Sequence, residues 1–345
     1  MLSSENSKNL IPIHIVTGFL GSGKTTLLNQ LLQQMQNTIV IVNEFGEISV
    51  DHLLIETTTE DMMILEGGCV CCAIRTDLLN TLEELFHKRE QHIIEFKQIV
   101  IETTGLADPA PILRTFIDDP FVSANYRLDT IVTTVDTVYA IQQTSEYDES
   151  VKQIALANHL ILTKIDLVDD LETLTKHLKQ INPTAKVHKV NLQKQSLNSA
   201  DLFDNRHYDQ KTRQLDVEYW LKAKSYNNHN HSNYIKTFCI EYNEPLHWIT
   251  LEHWIQQLTR IRGKDLLRVK GIAYTHETDL PVIIQGVQHI FQPPTTLKAW
   301  PDEKRCSQIV FITRNIEKQL VEKVLQAIID SKNQIDICNA ALILL

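Results

Sequence analysis

Apolar runs that stop abruptly at polar loops recur along residues 1–203. Residues 11–17 (IPIHIVT), 38–42 (TIVIV), 62–65, 98–101 (QIVI), 129–135, 158–162 and 186–190 each predict a short strand. Continuous apolar runs of this kind fit strands covered on both faces. Leu27, Leu28, Leu31, Leu32 and Met35 recur at helical spacing, and 77–88 and 171–181 also predict helices, the latter closed by Asn182-Pro183. Residues 43–61 form a long polar connection beginning NEFGE, and 66–72 a turn that holds three cysteines. Strands alternating with helices predict an α/β domain with a mostly parallel sheet and ligand sites at the strand C-termini.

The pattern changes after residue 203. Residues 204–233 are polar, contain NNHNHSN and predict a linker. Beyond it, 234–242, 265–274, 282–288 and 308–313 predict strands, and 247–261 and 316–331 helices. Residues 234–345 therefore predict a smaller C-terminal α+β domain. The boundaries expected are 1–203, 204–233 and 234–345, with no solenoid repeat.

Composition narrows the function. The 345 residues are 43% hydrophobic and 22% charged, with a net charge of −10. That balance argues against nucleic acid or an anionic membrane as the main partner. No leader pattern opens the chain and no apolar stretch reaches membrane-spanning length, so a cytoplasmic protein is expected. Cys69, Cys71 and Cys72 are clustered, while Cys239, Cys306 and Cys338 are scattered. This is no secreted disulfide framework.

The strongest motif is Gly18-x4-Gly23-Lys24-Thr25, between a strand and a helix. Its glycines let backbone N–H groups wrap a phosphate, and the helix N-terminus adds positive potential. Gly18, Gly21, Ser22, Gly23, Lys24, Thr25 and Thr26 are the expected phosphate contacts. Lys24 would reach the β- and γ-phosphates, and Thr25 would hold Mg²⁺. Glu102-Thr103-Thr104-Gly105 follows the QIVI strand. Glu102 at that strand end would hold the metal or its waters, and Gly105 would offer its N–H to the γ-phosphate. Lys24, Thr25 and Glu102 are the expected catalytic residues of a nucleoside-triphosphatase.

Thr163-Lys164-Ile165-Asp166 follows another strand. The Asp166 carboxylate can accept two hydrogen bonds from guanine, which adenine does not offer, so GTP is the expected substrate. Lys164 would cover the base and brace the phosphate loop. Thr163 stands where many GTPases have Asn, which alters one contact to the base edge or to the loop.

Cys69, Cys71 and Cys72 suit a soft metal ion such as Zn²⁺, Co²⁺ or Cu⁺. One cluster is an incomplete ligand set, for which Glu47 and His52 are candidates. Redox-active or structural cysteines are the alternatives. His229 and His231 in the linker are a weaker metal candidate. His247, His253, His276 and His289 read as packed or hydrogen-bonded, and Cys239 and Cys306 as core.

TGFLGSGKTTLL (17–28), NEFGEISVD (43–51), GGCVCC (67–72), IETTGLADP (101–109) and LTKID (162–166), with LLRVKGI (266–272), IIQGVQHIF (283–291) and QIVFITR (308–314), together resemble the CobW-like family of metal-handling P-loop GTPases. NEFGEISVD and LTKID resemble its bacterial YjiA branch. The resemblance spans nearly the whole chain. It implies a P-loop NTPase fold and GTP hydrolysis coupled to Zn²⁺ or Co²⁺ binding, with delivery to a client metalloprotein. It makes Cys69, Cys71 and Cys72 the thiolates and Glu47 their carboxylate partner. Val42 stands where some relatives carry a further carboxylate, and the His-rich tract of many relatives shrinks to His229 and His231. The docking motif of eukaryotic zinc chaperones is absent, so their client is not implied. A nucleotide-gated metal buffer, or a switch with redox-active cysteines, remains an alternative. The sequence names neither the client nor the oligomeric state, and a homo-oligomer is compatible with it.

Overall fold

The apolar runs of the N-terminal half pair edge to edge. A computed structural model describes residues 10–45, 62–67, 71–203, 235–291, 294–301 and 305–343, with backbone alone at 43–45, 62–67, 71–77, 110, 114, 117–118 and 332–343. The chain divides into two compact units, Met1–Arg206 and His207–Leu345.

In the first unit, β1 (Ile11–Gly18), β2 (Thr38–Phe45), β3 (Met62–Gly67), β4 (Gln98–Thr103), β5 (Tyr126–Asp136), β6 (His159–Thr163) and β7 (Lys186–Lys189) form one sheet in the order β3-β2-β4-β1-β5-β6-β7. Every pairing is parallel. β1 and β6 are buried along their whole length, as strands covered on both faces must be. Leu27, Leu28 and Leu31 of α1 (Lys24–Leu32) pack on one face against Val16, Val40, Val100, Val132 and Ile161. α7 (Leu171–Ile181) turns Leu174, Leu178 and Ile181 inward. The Asp170 carboxylate caps it by accepting from the N–H groups of Glu172 and Thr173; the Thr173 side chain, with these N–H groups, holds its pKa below the usual range.

Two sequence expectations need correction. The helix expected over 77–88 is α2 (Cys71–Glu90), so Cys71 and Cys72 open a helix rather than sit in a turn. The stretch CCAIRT offers no N-cap signal, which hid the start. Residues 105–157 carried no helix in the sequence reading, yet they form α3 (Ala110–Asp118), α4 (Pro120–Asn125), α5 (Ala140–Glu146) and α6 (Asp148–Leu156). These helices are short. α6 buries Ser150 and Gln153 beside Val151 and Ile154, which blurs its apolar stripe.

The second unit is antiparallel. β8 (Ile235–Tyr242), β9 (Leu266–Thr275), β10 (Thr278–Val287), β11 (Ile290–Phe291) and β13 (Ser307–Arg314) run in the order β11-β10-β9-β13-β8, with β12 (Thr295–Thr296) on β10. After α8 (Ser199–Leu202) of the first unit, the next described helices are α9 (Trp248–Arg262) and α10 (Lys318–Ile343). Their core joins Trp254, Leu258, Val321 and Leu325 to Phe238, Val269 and Phe311 of the sheet. The buried indole of Trp254 donates to the Val321 carbonyl at 3.1 Å, which ties α9 to α10. α10 runs past the expected residue 331. Cys239 and Cys306 are buried, as their core assignment requires.

Candidate nucleotide and metal site

The loop between β1 and α1 opens at a glycine whose surroundings leave no room for a side chain. Gly18 has φ +146°, and a Cβ there would lie 2.5 Å from the Thr134 carbonyl oxygen. Ser22 is buried, and its hydroxyl lies 2.6 Å from both the Phe19 carbonyl and the Thr134 hydroxyl. The N-cap of α1 is Gly23, with no side-chain cap and no acidic residue in the first turn. Nothing on the helix itself therefore quenches its N-terminal donors, the arrangement that receives an anion. The Lys24 ammonium donates to the carbonyls of Gly18 (3.0 Å) and Phe19 (3.3 Å), across the mouth of the loop. Thr26 is exposed on the same turn.

Glu102, the penultimate residue of β4, lies in register with Val16 of β1 and Val42 of β2. Its buried carboxylate accepts a 3.1 Å hydrogen bond from the Thr25 hydroxyl. A hydroxyl and a carboxylate brought together beside a phosphate loop are a donor set that could hold Mg²⁺. Gly105 packs against the loop from the other side. A Cβ there would lie 2.7 Å from the backbone nitrogen of Leu20.

At the third motif the hydroxyl of Thr163 donates to the carbonyls of Ser22 (2.8 Å) and Val135 (3.2 Å). Thr163 thus touches the phosphate loop through its hydroxyl. Lys164 was expected to brace the phosphate loop. Its ammonium instead pairs with buried Asp136 at 2.6 Å, and Thr163 does the bracing. Lys164 adopts φ +55°, and the Thr137 hydroxyl donates to its carbonyl and to that of Thr163. Asp166 is exposed in the 3₁₀ turn that follows.

Residues 12–189 match the family described as CobW/HypB/UreG, nucleotide-binding domain, and residues 235–329 the cobalamin synthesis protein cobW C-terminal domain. The chain belongs to the CobW/HypB/UreG family. It is 31% identical over 306 residues to the zinc chaperone YjiA of Escherichia coli, covering 88% of this chain and 94% of YjiA. The crystal structure of Zn(II)-bound YjiA GTPase aligns with a TM-score of 0.68 at 26% identity, over 93% of this chain and 99% of YjiA. A YjiA variant with one glutamate and two cysteines replaced by alanine is also Zn(II)-bound. The zinc-regulated GTPase metalloprotein activator 1 of Schizosaccharomyces pombe is 32% identical over 199 residues, 54% of this chain and 47% of that protein.

In this CobW-family chain the thiolate candidates are only partly in view. Cys71 and Cys72 open α2. Cys69, Glu47, His52, His229 and His231 lie outside the described residues. Among the described residues, no three His, Cys, Asp or Glu side chains are grouped to hold a metal. His247 stacks on His276 with ring centroids 4.3 Å apart and faces Glu277, and His253 meets Gln257, so both are engaged by neighbours.

The sequence reading missed four residues around the family's nucleotide site. Asp136 holds Lys164, Thr134 meets Ser22, and Gln153 and Lys152 reach the loop after Glu102. Asp136 has a sequence signal, since it ends an apolar strand as Glu102 does. Gln153 has a fainter one, a polar residue on an otherwise apolar helical stripe.

Proposed function

We propose that this chain is a zinc-handling GTPase whose nucleotide cycle governs uptake and release of Zn²⁺ at Cys69, Cys71 and Cys72, with Glu47 as carboxylate partner. Co²⁺ is the alternative cargo, and a client metalloprotein the destination. The chain hydrolyses GTP. Gly18, Gly21, Ser22, Gly23 and Thr26 contact the phosphates, and Lys24 neutralises the charge that develops on them. Thr25 and Glu102 hold Mg²⁺, and Gly105 meets the γ-phosphate. Lys164 and Asp166 take the guanine, while Thr163 keeps their loop against the phosphate loop.

One observation carries this reading. β2 and β3 end side by side, with Phe45 level with Gly67, and β2 adjoins β4 with Asn43 level with Thr103. The segments that follow Phe45 and Gly67 thus leave the same end of the sheet as Glu102. Two strand spacings separate β3 from β4, about 10 Å. A γ-phosphate that draws in the backbone at Gly105 and the NEFGE connection therefore acts within reach of the thiolates, and its loss on hydrolysis relaxes them.

The test is zinc release during turnover. The chain is loaded with Zn²⁺ and GTP, hydrolysis is started with Mg²⁺, and a chromophoric chelator reports zinc alongside phosphate. Zinc should appear in step with phosphate, and Lys24→Ala should abolish both. Zinc that stays bound through complete hydrolysis would leave a nucleotide-binding metal buffer as the better account.

A further inference from the structure

Helix α6 is fixed along its C-terminal half. The Thr133 hydroxyl on β5 donates to the Gln153 carbonyl at 2.8 Å. The amide of buried Asn182, at the end of α7, meets the carbonyls of Ile154, Ala155 and Ala157 at 2.8, 3.1 and 3.0 Å. From this anchored turn the buried Gln153 side chain donates to the carbonyls of Gly105 (3.2 Å) and Ala107 (3.0 Å). Lys152 pairs with Asp108 at 2.8 Å. Adjacent residues of α6 thus grip positions 105, 107 and 108. Tyr147, which precedes α6, packs its ring against that of Phe19 of the phosphate loop in a tilted arrangement with ring centroids 4.8 Å apart.

We propose that Gln153 is a positioning residue for γ-phosphate recognition. Its amide fixes the backbone on the far side of Gly105 while Leu20 confines the Gly105 Cα, so the Gly105 N–H is held in place before GTP arrives. The inference rests on the reading of Gly105 as a γ-phosphate contact and adds the residue that sets it. Such preorganisation spares the loop an ordering cost when the transition state forms. GDP has no γ-phosphate. A residue that acts through Gly105 therefore changes GTP binding and turnover without changing GDP binding, whereas a residue that only stabilises the fold changes both alike.

The experiment compares Gln153→Met with wild type in the full chain. Met keeps the volume, removes both donors, and removes a buried side-chain oxygen that has no hydrogen-bond partner among the described residues, so the fold is not asked to bury a new polar group. Affinities for a non-hydrolysable GTP analogue and for GDP are measured with Mg²⁺, together with kcat and KM for GTP. The analogue affinity and kcat should each fall roughly tenfold, as expected for losing hydrogen bonds made to an active loop, with GDP affinity within about twofold. Amide hydrogen exchange across 104–108 in the analogue-bound state should quicken. Equal losses for GTP and GDP, or unchanged kcat and discrimination, would overturn the role. Gly105→Ala is the companion. If it leaves GTP–GDP discrimination intact, the reading of Gly105 itself fails. If it destroys discrimination while Gln153→Met preserves it, the inference about Gln153 fails alone. Should Gln153→Met not fold, Asp108→Asn tests the same grip from the solvent side. It should weaken the analogue by about two- to fivefold and spare GDP, and no change would count against the proposal.

Discussion

The Thr163 hydroxyl and the Ser22 carbonyl stand 2.8 Å apart, joining the end of β6 to the centre of the phosphate loop. Thr163→Val keeps the shape and deletes the donor. A buried neutral hydrogen bond contributes about 1 kcal/mol, and the orphaned carbonyl adds to the loss. GTP and GDP affinity should therefore fall together, by about tenfold, in a fluorescent-nucleotide titration. A loss confined to GTP would show that Thr163 acts on the γ-phosphate instead.

Asp166→Asn should reverse a donor–acceptor match. The amide NH₂ would face the donors at guanine N1 and N2, whereas xanthine presents a carbonyl there. Hydrogen bonds to a charged group contribute about 1.5–3 kcal/mol, so the GTP:ATP preference should fall at least about tenfold while xanthosine triphosphate gains. Competition binding with the three nucleotides measures this. An unchanged ratio would leave Asp166 a solvated residue of its turn.

His188 on β7 should make the fold acid-sensitive. Its ring lies 2.9 Å from that of His159, and burial, with Lys186 nearby, pushes its pKa down. The unfolded chain then binds this proton more readily than the folded one. The neutral ring's contribution is present above the unfolded value of about 6.5 and is lost as pH falls below it. Urea midpoints at pH 8 and pH 5.5 check the sign. His188→Gln should lose less stability than wild type between those pH values, and an identical loss would remove His188 as the cause.

The strands and the phosphate loop were legible because each rests on local chemistry. An apolar run such as QIVI needs cover on both faces, and Gly18 and Gly23 carry backbone angles that other residues resist. The Glu102 and Lys164 positions followed from strand ends. What stayed hidden depends on contacts between distant residues. The pairing of Lys164 with Asp136 joins the ends of two neighbouring strands. The grip of Gln153 on Gly105 spans 48 positions and comes from a nine-residue helix with a diluted apolar stripe. The start of α2 at Cys71 lacked a capping residue, so the cysteines read as a turn. The parallel sheet was visible as alternation, but its order was not, because alternation does not say which strands become neighbours.

Coupling between metal and nucleotide is the claim on which the account depends. A γ-phosphate that draws in the backbone beside β2 and β3 must favour the metal, and linkage then requires the metal to favour GTP by the same factor. The decisive measurement is a paired titration of Zn²⁺ and Co²⁺ affinity in the GTP-analogue and GDP states, with cobalt–thiolate charge-transfer absorption reporting ligation. Affinity should be higher with the analogue by roughly 5–150-fold, the usual range for such coupling. Cys71→Ser with Cys72→Ser should erase the difference and leave Mg²⁺–nucleotide binding largely intact. Equal metal affinity in the two nucleotide states of the wild type would contradict the account.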